Sequence, residues 1–204
     1  MTRTQGLLLD ILTPVRDIFL SHLLEEMGKA LDRDFEVETD VVRRDDKGEL
    51  EKSGPLGLPQ RADMAMKTGR DRRYFDITDD LFVEFDPLML RLTNGAPVSI
   101  APFKWNQLQA VVNTKTETPD WQPVRRWYLE AFQSRFDEDS PEFHGVVHRL
   151  TGPEGKETSW RFEVDLGTAN VDSVADLLEA FNTVDCTKVE LFGAESADET
   201  ESVT

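Results

Sequence analysis

The feature that most constrains this chain is a change in the period of its apolar residues. Val15, Ile18, Phe19, Leu23, Met27, Ala30 and Leu31 recur at helical spacing, with Arg16, Asp17, Glu25, Glu26 and Lys29 on the other face. That pattern commits residues 13–32 to an amphipathic helix. Thr13-Pro14 offers an N-cap residue followed by proline, so the helix is expected to begin there, after a short turn at 7–12. Directly afterwards, Phe35-Glu36-Val37-Glu38-Thr39-Asp40-Val41 alternates apolar and polar, the period of a half-buried strand. A long helix followed by consecutive strands, with no helix between them, predicts an α+β architecture.

The remainder extends that reading. Residues 43–61 mix charges with Gly48, Gly54, Gly57, Pro55 and Pro59 and show little periodicity, so a long mobile loop is expected. Strands are expected at 62–66 and 73–77 around a Thr68-Gly69-Arg70-Asp71 turn, at 81–86 up to Pro87, at 88–92 and 97–100 around Thr93-Asn94-Gly95, and at 108–112. A second helix is expected over 121–136. Asp120 is its cap, and Trp121, Val124, Trp127, Tyr128, Ala131, Phe132 and Phe136 face inward. A hairpin of 143–150 and 159–166 should turn at Gly152-Pro153-Glu154-Gly155. A third helix should follow, capped by Asp172 or Ser173, with Val174, Leu177, Leu178 and Phe181 inward. Residues 188–192 should close the domain as a strand.

The expected arrangement is one domain, 1–193, whose mainly antiparallel sheet is covered on one face by three helices. Residues 194–204 are acidic, polar and too poor in apolar side chains to order themselves. Leu129-Glu130-Ala131-Phe132 and Leu178-Glu179-Ala180-Phe181 each follow an Arg-Leu-Thr turn, at Arg91-Leu92-Thr93 and Arg149-Leu150-Thr151. They mark a candidate duplicated strand-turn-strand-helix unit, with an insertion between unequal spacings.

Charge narrows the function classes. The net charge is −17, from 40 acidic and 23 basic residues. Such a field repels nucleic acid and anionic membranes, and it suits a basic protein partner or a solvation role. No apolar run approaches the roughly 18 residues of a membrane span. Asp10, Pro14, Arg16 and Asp17 interrupt what would be the apolar stretch of a secretory signal. Cys186 is the single cysteine, so no internal disulfide can form, and a reducing, cytoplasmic setting is expected. The neighbouring Asp185 should raise its thiol pKa, which fits a small turn residue and not a nucleophile.

Several constellations could carry chemistry. Asp76, Asp79, Asp80, Glu84 and Asp86 fall within eleven residues. On a strand, Glu84 and Asp86 share a face with Phe82, about 7 Å apart, and could hold a hard cation. Alternation also places charges on any solvent-facing strand, and the expectation is a solvent face with no metal. Lys67, Arg70, Arg72 and Arg73 surround a Thr-Gly turn, and Arg125-Arg126 lies near the start of the second helix. Either set could hold an anion or a carboxylate, although pairing with nearby acids is the simpler expectation. His144 and His148 would stand about 13 Å apart on one strand face, too far to chelate together. His22 sits on the first helix, and no third ligand is evident, so no metal or cofactor is expected. No glycine-rich phosphate loop, nucleophile elbow or Cys/His metal spacing occurs.

Two resemblances follow. Asp63, then Asp76-Ile77-Thr78, loosely resembles the Asp…(Asp/Glu)-x-Lys pattern of restriction-endonuclease-like folds. That resemblance implies a metal-dependent hydrolase with Asp63 and Asp76 as catalytic carboxylates. Thr78 stands where the pattern needs lysine, the elements after it read as strands where that fold has a helix, and the charge opposes a DNA substrate. The order of elements and the acidity resemble type III secretion chaperones, which implies a binding role. The expected function is an acidic protein-binding, adaptor or chaperone-like domain acting on a basic partner, with Glu84, Asp86, Arg70, Arg72 and Arg73 as candidate binding residues. The alternative is the carboxylate-dependent hydrolase.

Overall fold

A computed structural model describes residues 3–33, 35–68, 71–78, 82–133 and 145–193. Arg70, Asp79, Asp80, Phe136, His144 and the acidic tail 194–204, each singled out above, lie outside the described residues. The chain is α+β, with three helices and mostly antiparallel strands. In order these are α1 (Arg3–Leu31), β1 (Glu36–Val42), β2 (Lys52–Ser53), β3 (Leu58–Pro59), β4 (Arg61–Thr68) and β5 (Asp71–Phe75). Then come β6 (Leu88–Arg91), β7 (Pro97–Ile100), β8 (Leu108–Thr114), α2 (Gln122–Phe132), β9 (Arg149–Lys156), β10 (Ser159–Asp165), α3 (Asp172–Thr183) and β11 (Cys186–Gly193).

The strands divide among three sheets. A three-stranded sheet runs β1-β4-β5, a six-stranded one β6-β7-β11-β8-β10-β9, and β2 pairs with β3. The β7–β11 pair is parallel and the other pairs are antiparallel. Against β1 and β4 lies α1, which also touches α3; α2 and α3 pack together, and α3 touches β11. Both Leu-Glu-Ala-Phe strings therefore belong to helices that meet each other. Three strands precede α2 in the first candidate unit and two precede α3 in the second. None of the helices among the described residues is long and apolar enough to cross a membrane.

The core explains where expectation and structure part. Instead of starting at Thr13, α1 runs from Arg3 through Pro14. Leu8, Leu12, Val15, Phe19 and Leu23 form one buried stripe across the proline, and the packing of Leu8 and Leu12 offsets the missing N–H of Pro14. Residues 82–86 are not a strand, yet their burial alternates as expected: Val83 and Phe85 pack on the core while Glu84 and Asp86 are exposed. Residues 43–61 are built rather than loose. Asp45 accepts the N–H groups of Lys47 and Glu49 at 2.9 Å, Arg44 bridges to Leu50, and β2 and β3 pair. The β9–β10 hairpin turns at Glu157-Thr158, with Glu157 at φ 56°, and not at Gly152-Pro153, which lies within β9. At its C-terminal end α2 stops at Phe132. Neither α2 nor α3 has a side-chain N-cap; Asp172 is the first residue of α3, and Asp120 accepts the Gln122 N–H at 3.0 Å.

Candidate functional site: a buried imidazole and an acidic groove

Polar side chains rarely enter a core without partners, and this core contains His148 and Asp63, both fully buried. In β1 and β4, Thr39 pairs with Met64 and Val41 with Ala62, which places Asp40 opposite Asp63 between those pairs. Two like charges opposite each other repel. His148, just before β9, lies between them. Its Nε2 is 2.7 Å from Asp40 Oδ1 and its Nδ1 is 2.9 Å from Asp63 Oδ1. Asp40 adopts φ 51°, a left-handed conformation that aspartate tolerates better than most residues.

Fixed donors hold each carboxylate. Thr168 Oγ1 donates to Asp40 at 2.9 Å. The Ile77 N–H donates to Asp63 Oδ2 at 2.6 Å, while Asn106 donates to the Ile77 carbonyl. Asp165, at the end of β10, accepts the Gly167 N–H at 2.9 Å. The Tyr128 hydroxyl donates to the carbonyls of Pro59 and His148, and the Arg61 N–H donates to the His148 carbonyl. Gly167, at φ 52°, leaves room for the ring: a Cβ there would come within 2.3 Å of it.

Burial disfavours the charged ring, but the hydrogen bond to Asp40, the close Asp63 carboxylate and the charge of Asp165 outweigh it, and the His148 pKa lies above its ordinary value. Burial pushes Asp165 up, opposed by His148 and reinforced by Asp63. Burial, with Asp165 adding to it, keeps the Tyr128 hydroxyl protonated. On one side the contact is incomplete. His148 Nδ1 and Asp63 Oδ1 are close, but the N–H direction misses the oxygen, and neither atom has an aligned hydrogen-bond partner.

A second site lies on the surface between α2 and α3. The groove encloses about 790 Å³. Asp172, Asp176 and Glu179 line it from α3 at i, i+4 and i+7, and Glu130 faces them from α2. Trp127 forms part of the wall and is held by its indole N–H, which donates to the Ser173 carbonyl at 3.1 Å. Arg126 is the one basic residue among the described lining. Among the described residues, no basic side chain pairs with the four carboxylates. Partial burial and the charges of Asp172 and Glu130 push Asp176 above its ordinary pKa. Gln133 and Gly145 also line the groove.

The residues singled out from the sequence are dispersed. Asp63 is interior, whereas the exposed Asp76 is gripped by both contacts of Arg43, at 2.6 and 2.7 Å. Asp76 is not part of the cluster that Asp63 forms with His148 and Asp165. Arg72 and Lys67 both pair with Glu38, the simpler of the two sequence expectations, while Arg73 is exposed. Glu84 and Asp86 lie in irregular exposed chain. Cys186 opens β11 rather than sitting in a turn, and it is buried; burial and, less strongly, Asp185 raise its thiol pKa. His148 and the α3 carboxylate face were not singled out as sites. No protein-family model, curated protein or solved structure matches this chain.

Proposed function

We propose that this protein binds a basic segment of a protein partner in the groove between α2 and α3. The observation that carries this reading is the set Glu130, Asp172, Asp176 and Glu179 around a concave surface, none of them paired with a basic side chain among the described residues. Burial, and then the charges of Asp172 and Glu130, raise Asp176. A lysine or arginine side chain entering the groove relieves the repulsion among these carboxylates. Arg126 and the wall of Trp127 add a carboxylate partner and an apolar surface for the aliphatic stem of the incoming side chain. The net charge of −17 supplies long-range attraction for a basic partner.

The test is fluorescence anisotropy with a labelled Lys/Arg-rich peptide and an acidic peptide of equal length. The basic peptide should bind, with an affinity that falls steeply as the Debye length shrinks from about 10 Å at 0.1 M salt to about 3 Å at 1 M. The double variant Asp176→Asn/Glu179→Gln should weaken binding about tenfold or more, the scale of one or two lost charge contacts. Glu84→Gln/Asp86→Asn should change it little. Equal loss from both pairs would mean that the whole acidic surface acts as a diffuse field. An absence of basic-peptide binding at low salt would refute the proposal.

A further inference from the structure

The buried centre has features that an ion-free hydrogen-bond network leaves unexplained. Three carboxylates, Asp40, Asp63 and Asp165, gather about one imidazole. Of the nearby arginines, Arg61 donates to the main-chain carbonyls of Phe132 and Asp40, and Arg149 pairs with Glu163 at 3.6 Å while its buried Nε has no hydrogen-bond partner. Asp63 and Asp165 are buried together with the ring, and Asp40 is mostly buried beside them. Two fully buried polar atoms, Asp63 Oδ1 and His148 Nδ1, lie 2.9 Å apart without an aligned hydrogen bond between them. An Asp165 oxygen joins them, and the three donor atoms lie within 4.8 Å of one another. That spacing is close to the span of two metal–ligand bonds of about 2.1 Å.

We propose that Asp63, His148 and Asp165 bind one divalent first-row transition ion of the zinc or manganese class. One imidazole and two carboxylates form a donor set suited to these ions. Asp40 then has a distinct task. It accepts the Nε2–H of His148, which fixes the tautomer whose Nδ1 lone pair faces the ion, as outer carboxylates commonly do for metal-bound histidines. Thr168 holds Asp40 in turn. The ion replaces the missing contact between Asp63 and His148. Because all three ligands are buried, the ion enters as the chain folds or opens, and its role is to join the β1-β4-β5 sheet to the strand ends of the larger one.

The test refolds the full chain from urea with Zn²⁺, Mn²⁺ or Co²⁺, removes weakly held ions by gel filtration and counts metal by mass spectrometry. About one ion per chain should remain on the wild type, as expected for a site whose binding is linked to folding. Less than about a tenth should remain on Asp63→Asn and Asp165→Asn, with Glu84→Gln/Asp86→Asn matching the wild type. Asp40→Asn should weaken binding about 10–100-fold, the range for lost outer-shell partners. Should the asparagine variants not fold, the wild type decides alone. Cadmium-113 loaded into nitrogen-15-labelled protein should show one-bond coupling to His148 Nδ1. Wild type that retains less than a tenth of an ion, binding unchanged by both asparagine variants, or the lack of that coupling would overturn the site and leave a protonated His148 between Asp40 and Asp63.

Discussion

The two carboxylate clusters of this molecule are built on opposite terms. Asp40, Asp63 and Asp165 are each tied to a fixed donor: the Thr168 hydroxyl, the Ile77 N–H and the Gly167 N–H. They surround a ring that cannot leave. Glu130, Asp172, Asp176 and Glu179 stand on two helix faces open to water, with no paired cation among the described residues. In the first cluster the acids are part of what holds the two sheets together, and removing their shared partner strands charge in a dry interior. In the second, water screens the acids, and removing one relieves repulsion. The same residue type is thus structural in one place and available for a partner in the other.

The sharpest way to break that contrast is to remove His148. His148→Ala should lower unfolding free energy by about 3–5 kcal/mol, the cost of breaking a buried pair. Urea denaturation followed by tryptophan fluorescence would read it as a large drop in midpoint. Glu179→Gln in the groove should stay within about 0.5 kcal/mol of wild type, as surface substitutions usually do. Similar values for the two would erase the distinction drawn above.

A steric change at the interior centre, with no change of charge, should cost less. The Cβ added by Gly167→Ala would meet the imidazole at 2.3–2.5 Å, and φ 52° suits glycine. Displacing the ring and straining the backbone should together cost about 1–3 kcal/mol, measured by the same denaturation. A wild-type midpoint would mean that the ring has room to shift, and that its contacts with Asp40 and Asp63 do not depend on its position.

Local patterns were legible in the sequence, and long-range ones were not. Period-2 alternation located β1 and the exposure of 82–86, and Asn94-Gly95 located the β6–β7 hairpin. Proline misplaced the start of α1 because a capping signal competed with a continuous apolar stripe, and packing prevailed. The interior centre joins residues 108 and 128 positions apart, Asp40 with His148 and with Thr168, which no spacing rule anticipates. Asp76 pairs with Arg43 instead of joining the Asp63 centre. The groove was readable in principle: Asp172, Asp176 and Glu179 share one face of α3, but attention to the inward face of Val174, Leu177 and Phe181 passed it over.

The smallest expected effect sharpens the comparison from the groove side. Burial, with Asp172 and Glu130, raises Asp176 above its unfolded value, so the folded chain binds the proton more tightly than the unfolded one. A raised carboxylate contributes stability that is fully present below the unfolded pKa and is lost as pH rises through the folded pKa. At neutral pH the ionised Asp176 is therefore a net cost. Asp176→Asn removes that cost, and because the side chain is exposed, screening holds the gain to no more than about 0.5 kcal/mol. The melting temperature of the variant should sit slightly above wild type at pH 7, and the difference should shrink as pH falls through the carboxylate range and Asp176 protonates. Added salt at pH 7 should shrink it too, since screening weakens the repulsion from Asp172 and Glu130. A variant less stable than wild type at pH 7, with a gap unchanged by pH and salt, would show that Asp176 makes a favourable contact in the folded chain, and the groove would then belong with the interior centre as a structural feature.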